Sequence, residues 1–180
     1  MNLVEKAREL SRKAHEGQTR KLTDADYFTH TEGVANILQE AGLPDEVVAA
    51  GYLHDTVEDT SVTIEEIKEQ FGEKVATIVE GNTEDKTKSW EERKQHTIQE
   101  LKTASFEIKC LVAADKLDNL RSLIQDSKGK ADDIWIYFNR GKELQAWYYK
   151  GVADALIENV DQEIPAFFYD YQKLVYEFFR

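Results

Sequence analysis

The chain has 180 residues, 41% apolar and 32% charged, a composition that builds one soluble core and excludes an integral membrane protein of helical type. Its 35 acidic residues against 23 Lys and Arg leave a net charge of −12, which excludes the basic stripe that broad nucleic-acid binding needs. A small polyanion remains possible if a local basic pocket or a metal meets it. The single cysteine, Cys110, forbids an intrachain disulfide and fits a reducing compartment, so a cytoplasmic protein is expected.

From its first residues the chain enters a helical pattern, with Leu3, Ala7, Leu10 and Ala14 on one stripe and no signal-peptide-like apolar stretch. Val34, Ile37, Leu38 and Ala41 form a second stripe, stopped by Gly42, with Pro44 opening the next helix. Val47 to Val57 is apolar nearly all round, which predicts a central helix buried on most sides. Thr63 with Glu66, and Ser89 with Glu92, read as capping boxes, the first opening a helix that ends at Gly72. A long helix is predicted over Ile108–Ile124, shorter ones around Asp133–Tyr137 and Gly141–Val160, and an aromatic amphipathic one after Pro165. Only the patch near Ile134–Phe138 could be read as a strand. The expectation is an all-α fold: one compact helical bundle over residues 1–180, with the helix of 165–180 packing on it.

His54-Asp55 lies inside an apolar helical run, where two polar side chains are costly unless something binds both. A divalent metal seated over the groove between them is the obvious occupant. Glu58 follows His54 by four residues and Asp59 follows Asp55 by four, so both acids project one turn along the same side of a continuous helix. Metal ligands on one turn and carboxylates on the next suit hydrolysis, because the metal acidifies a water and the carboxylates orient it or take its proton. Asp115 and Asn119 point from a greasy face of the Ile108–Ile124 helix, and His30 opens the helix that carries Val34. Two imidazoles and two carboxylates favour Mn²⁺, Fe²⁺ or Zn²⁺ over Mg²⁺. His15, beside a charged turn, and His96, in a charged helix, read as surface residues. Arg20-Lys21 is a basic pair in an acidic chain, able to stack on a base and attract phosphate.

His30, His54-Asp55 and Asp115 resemble the H…HD…D signature of HD-domain phosphohydrolases. The segments Ala14 to Lys21, Tyr27 to His30, Leu53 to Thr60, Phe71 to Val75, Asp85 to Thr87 and Asp115 to Arg121 resemble the hydrolase half of RelA/SpoT proteins. Glu84 to Thr87, with Glu92-Arg93-Lys94, is most similar to the stand-alone small alarmone hydrolases, including the metazoan SpoT homologue. The resemblance covers about residues 3–150 and implies an HD-type helical bundle. It also implies hydrolysis of the 3′-diphosphate of (p)ppGpp to GDP or GTP and pyrophosphate by a metal-activated water, with Mn²⁺ as the metal. Carried over by position, His30, His54, Asp55 and Asp115 would hold the metal, and Glu58 and Asp59 would handle the water and its proton. Arg20 and Lys21 would flank the guanine, Asn119 and Ser122 would contact the nucleoside, and Lys86 a phosphate.

Two departures stand out. Leu22 to Thr31 lacks the family's Gly-x-Pro-Tyr-Ile before the first histidine and the proline after it, so a differently shaped base-side loop is expected. Asn82 replaces a usual apolar residue. The loop motivates an alternative in which the same metal site cuts another nucleotide, such as the 2′-phosphate of NADPH or a nucleoside phosphate. A non-catalytic nucleotide sensor, or a homo-oligomer through the aromatic C-terminal segment, is the further alternative. No synthetase segment follows, so hydrolase-only activity is expected, with a small guanine nucleotide as partner and neither nucleic acid nor membrane.

Overall fold

Asn2 starts the first helix by reciprocal capping: its side chain accepts from the Glu5 amide while the Glu5 carboxylate accepts from its own. The computed structural model describes the backbone of residues 1–180 and every side chain except that of Ala131. Ten α-helices follow in order: α1 Leu3–Ala14, α2 Phe28–Glu40, α3 Asp45–Leu53, α4 Thr56–Asp59, α5 Ile64–Phe71, α6 Glu73–Gly81, α7 Trp90–Leu101, α8 Phe106–Asp126, α9 Lys142–Leu156 and α10 Ala166–Phe178. Among the described residues there is no sheet, only one isolated bridge between Thr19 and Asp26. The fold is all-α.

Both capping boxes read from the sequence form, at Thr63 for α5 and Ser89 for α7. Gly72, at φ +93°, makes the sharp turn between α5 and α6, a conformation that L side chains rarely adopt.

Helices α3 and α8 lie at the centre. α3 packs against α1, α2, α6 and α8, and every residue from Val47 to Leu53 is buried. The close approach of α3 to α2 depends on Gly51, where a Cβ would lie 3.1 Å from the Ala35 Cα and 2.9 Å from Leu38. α8 also touches α2, α6, α9 and α10. Two buried layers therefore meet at α3 and α8, and the polar residues of both helices face one another across that seam.

The continuous helix expected over Val47–Val57 does not form. α3 ends at Leu53, and α4 is a separate turn beginning after Asp55. The segment Ala131–Tyr137 is 3₁₀ rather than α-helix or strand, which fits its Asp132-Asp133 start and short length. α10 turns Phe167, Phe168, Tyr171 and Val175 inward against α8 and α9, with the Tyr171 hydroxyl donating to the Tyr149 carbonyl at 2.9 Å. Each such side chain contributes about 1.5–3 kcal/mol of burial, so the aromatic face is spent on the core, while Tyr169 and Tyr176 stay exposed. No helix among the described residues is long and apolar enough to cross a membrane.

Candidate metal centre and active site

The break between α3 and α4 is what lets His54 and Asp55 aim at one point. Within a helix, neighbouring side chains diverge by about 100°. Here His54 keeps helical angles (φ −59°, ψ −31°) while Asp55 leaves them (φ −102°, ψ −1°). The break is held by side chains: His54 Nδ1–H donates to the Gly51 carbonyl at 2.7 Å, and Thr56 Oγ1–H to the Leu53 carbonyl at 2.7 Å. Two of the carbonyls orphaned at the end of α3 are thereby satisfied. That first bond also fixes the His54 tautomer, leaving Nε2 free to face the seam.

Four donor atoms converge there. His30 Nε2 lies 3.0 Å from Asp115 Oδ1, 3.2 Å from His54 Nε2 and 3.6 Å from Asp55 Oδ2. His54 Nε2 lies 3.0 Å from Asp55 Oδ2 and 3.3 Å from Asp115 Oδ1. All four residues offer ligand atoms within 4.8 Å of one another. Donors bonded to one first-row dication at about 2.0–2.2 Å sit about 3 Å apart, so this spacing fits such an ion. The donor set is also chemically right, two neutral-capable imidazoles and two carboxylates in a buried place.

Charge agrees with geometry. Burial pushes the Asp115 carboxyl up, but Lys116 and His54 more than offset it and hold it well below the usual range. Burial likewise opposes charge on His54, yet Asp55 and Asp115 keep its imidazole well above the ordinary value. Without a cation, protons on the imidazoles neutralise the two carboxylates, and metal binding would release them. Asp55 is further held by the Tyr27 hydroxyl, which donates to Oδ2 at 2.5 Å. Asn119 donates to Asp115 Oδ1 at 3.2 Å, while the other Asp115 oxygen pairs with Lys116 Nζ at 3.1 Å.

The cluster opens into a cleft of about 930 Å³ lined by Asp55, Glu58, Asp59, Lys86, Lys116 and Tyr148 among others. A second hollow of about 320 Å³ adjoins it and is lined by Arg20, Lys21, Asn119, Ser122 and Phe138. Lys21, Arg93, Lys94, Lys116, Asn119 and Tyr148 border both.

Glu58 is half-buried in the larger cleft and accepts from the Glu84 amide at 2.5 Å. Burial, reinforced by negative Asp55 and Glu84, pushes its carboxyl up to about 7. Asp59 is more exposed and pairs with Lys86 Nζ at 2.7 Å, while its backbone carbonyl accepts from Gln18. Arg20 pairs with Asp118 at 3.0 Å, and Lys21 Nζ stands 4.6 Å from the Phe138 ring centre. Ser122 donates to Asp126 at 3.2 Å. All eleven residues singled out from the sequence thus fall on the cluster or on the two hollows beside it.

His96 is exposed as expected, but His15 is not a surface residue. It caps the end of α1, buried against the Tyr27 ring with Nδ1 2.8 Å from Gln18 Oε1. Several neighbours of the site escaped the sequence reading. Tyr27 lies three residues before His30, and Asp118 three after Asp115, both on the same helical face as a ligand, which is the signal that could have found them. Lys94, Arg93 and Glu84 form an ion network at 2.7–2.8 Å that borders the cleft. Lys116, largely buried, is held charged by Asp115 despite its burial.

A family model described as an HD domain matches residues 7–138. The guanosine-3′,5′-bis(diphosphate) 3′-pyrophosphohydrolase MESH1 of Xenopus tropicalis is 43% identical over 124 residues, covering 67% of this chain and 69% of that protein. The guanosine-3′,5′-bis(diphosphate) 3′-pyrophosphohydrolase of Aquifex aeolicus is 35% identical over 155 residues, covering 82% of this chain but 22% of that much longer protein. Among solved structures, a metazoan orthologue of SpoT described as hydrolysing ppGpp superposes with a TM-score of 0.82 at 27% identity, covering 98% of this chain and 95% of its own. With His30, His54, Asp55 and Asp115 converging and the match spanning most of the chain, this protein belongs to the HD-domain family, in the branch that includes the MESH1-type pyrophosphohydrolases.

Proposed function

We propose that this protein is a metal-dependent hydrolase of the 3′-diphosphate of (p)ppGpp, releasing pyrophosphate and leaving GDP or GTP. The observation that carries the reading is the convergence of His30, His54, Asp55 and Asp115 at the floor of a nucleotide-sized cleft, in a chain related to proteins named for that reaction. These four residues would hold one divalent ion, and the mixed nitrogen and oxygen donors favour Mn²⁺ over Mg²⁺. When bound, that ion supplies Lewis acidity toward phosphate oxygens and lowers the pKa of water.

The remaining work falls to side chains around the cleft. Glu58, with a pKa near 7, takes the proton of the attacking water, and the Glu84 amide orients it by holding Oε1. A water oxygen bonds to phosphorus, the bond to the ribose 3′-oxygen breaks, and that oxygen takes up a proton. Asp59, with Lys86 on its carboxylate, assists at the cleft mouth, where Lys86 can also meet a phosphate. Lys94 and Lys116 bring positive charge to the cleft wall beside the Tyr148 ring, at 4.8 and 5.4 Å from its centre. The Tyr148 hydroxyl, buried and without a partner among the described residues, is free to bond a ligand. Arg20, Lys21, Asn119 and Ser122 form the smaller hollow that takes the guanosine. A cytoplasmic setting follows from a guanine-nucleotide substrate and a buried free thiol at Cys110.

The test is pyrophosphate release from ppGpp by metal-stripped protein reloaded with Mn²⁺, beside the Asp55→Ala protein. Release by the reloaded wild type alone supports the reading. No release from protein shown to hold one Mn²⁺ would redirect the search to other nucleotides, NADPH included.

A further inference from the structure

We propose that Asp118 is a positioning residue that fastens a metal ligand and the base-side arginine to one carboxylate oxygen. The proposal deepens the function just argued and rests on its metal site. Asp118 Oδ2 lies 2.7 Å from His30 Nδ1 and 3.0 Å from the Arg20 guanidinium. Because a carboxylate only accepts, Nδ1 carries the hydrogen and donates, and Nε2 is left to face the donor cluster. The second oxygen is confined as well: Asp118 Oδ1 stands 2.2 Å from the position a Cβ would occupy at Gly33. The carboxylate therefore sits in a slot one residue type wide, in the turn of α2 that follows His30.

Its place on α8 matters. Asp115 and Asp118 are three residues apart and share a helical face, so a single turn carries one ligand and the brace of another. The far end of the brace is Arg20, in the loop between α1 and α2, only 15% exposed and lining the hollow beside the cleft. That loop is held shut by backbone bonds from Arg20 to Ala25 and from Tyr27 to Gln18, each 2.8 Å. A rigid chain of contacts thus runs from the guanosine hollow through Arg20 and Asp118 to His30. Carboxylate partners of ligating imidazoles set ring orientation and basicity, and their loss typically costs about 10–100-fold in metal affinity. The Arg20 end adds a consequence that an ordinary brace lacks: metal and nucleotide share one anchor, so each steadies the group that the other uses.

The experiment measures Mn²⁺ affinity by competition with a fluorescent chelator, without substrate, for wild type, Asp118→Ala and Gly33→Ala. Gly33→Ala leaves the carboxylate in the chain but displaces it, and it sits in a helix that otherwise welcomes alanine. Both variants are expected to bind Mn²⁺ about 10–100-fold more weakly. At saturating Mn²⁺, Arg20→Gln should raise the KM for ppGpp in wild type and raise it much less in the Asp118→Ala background, because the anchor is already gone. A residue that merely supported the fold would leave the two effects on KM independent. Equal Mn²⁺ affinity in all three proteins, or additive KM effects of the two substitutions, would overturn the role of Asp118. Wild-type protein that holds no Mn²⁺ would instead overturn the metal reading on which it rests.

Discussion

Glu58 offers a prediction in which stability and catalysis move in opposite directions. Its carboxyl is pushed from 4.5 to about 7, first by burial and then by the negative Asp55, Glu84 and Asp59, against one favourable bond from the Glu84 amide. The folded chain therefore binds this proton more tightly than the unfolded chain does. Stability tied to Glu58 is fully present below pH 4.5, falls as pH rises from 4.5 to 7, and is lost above that. At about 1.4 kcal/mol per unit, the ionised group costs the metal-free protein at most about 3.5 kcal/mol, and partial exposure reduces this to about 1–3 kcal/mol. Glu58→Gln keeps the acceptor for the Glu84 amide and removes the charge. Thermal melts of metal-free protein at pH 8 should show the variant about 3–10 °C more stable, using roughly 2–4 °C per kcal/mol for a chain of this size. At pH 5 the gap should shrink, because the wild-type side chain is then neutral too. The same variant should keep its metal and lose about 10²–10⁴-fold in turnover. A stability gap equal at both pH values would refute the argument, since a packing effect does not titrate.

Asp55→Ala should lose both Mn²⁺ and activity, whereas Glu58→Gln loses activity alone; equal metal loss in the two, measured by metal content after gel filtration, would break this division of roles. Tyr27→Phe removes the donor to Asp55 Oδ2 and should weaken Mn²⁺ about tenfold, read by chelator competition. Lys109 is buried, and its ammonium donates to the carbonyls of Lys102, Ala155 and Glu158, where α7 and α9 end. Lys109→Met should cost about 2–4 kcal/mol in urea unfolding and leave the KM for ppGpp unchanged; a neutral result would mean that those helix ends do not need the cap.

That His30, His54, Asp55 and Asp115 converge was legible because His54, Asp55 and Asp115 interrupt apolar faces with groups that burial penalises, and a shared site is the cheapest explanation of such interruptions. The capping boxes and the stop at Gly72 were legible for a local reason, since each is decided within four residues. The break at His54-Asp55 was not. Val47 to Val57 favours helix throughout, and the interruption is made by His54 and Thr56 bonding backward to carbonyls, a choice that sequence alone does not reveal. His15 misleads for a related reason: charged Glu16 and the turn-forming Gly17 beside it mark a surface turn, but the ring faces the other way, onto Tyr27. The part played by Asp118 is not legible beside Asp115 in the sequence, because its partners Arg20 and His30 lie 98 and 88 residues away.

How an acidic chain could hold a polyanionic nucleotide follows from where its charges stand. At −12, the whole surface attracts cations and repels phosphates at distances beyond the Debye length of about 8–10 Å only weakly, because salt screens the field. Closer in, the order of local charge decides. The ligand carboxylates and Glu58 sit at the cleft floor, where they favour a dication, while Lys94, Arg93 and Lys116 stand along the wall. Two of those cations are not free to collapse onto the floor. Arg93 and Lys94 are held back by Glu84, whereas Lys116 already pairs with Asp115 Oδ2 at the edge of the floor. A bound dication would replace the protons on the floor's imidazoles at similar net charge, but it would offer phosphate oxygens a direct Lewis-acid contact that protonated imidazoles do not. Nucleotide affinity should therefore depend on metal occupancy far more than on bulk ionic strength. Binding of ppGpp to metal-stripped protein at near wild-type affinity would show that the wall alone suffices and that this account of the cleft is wrong.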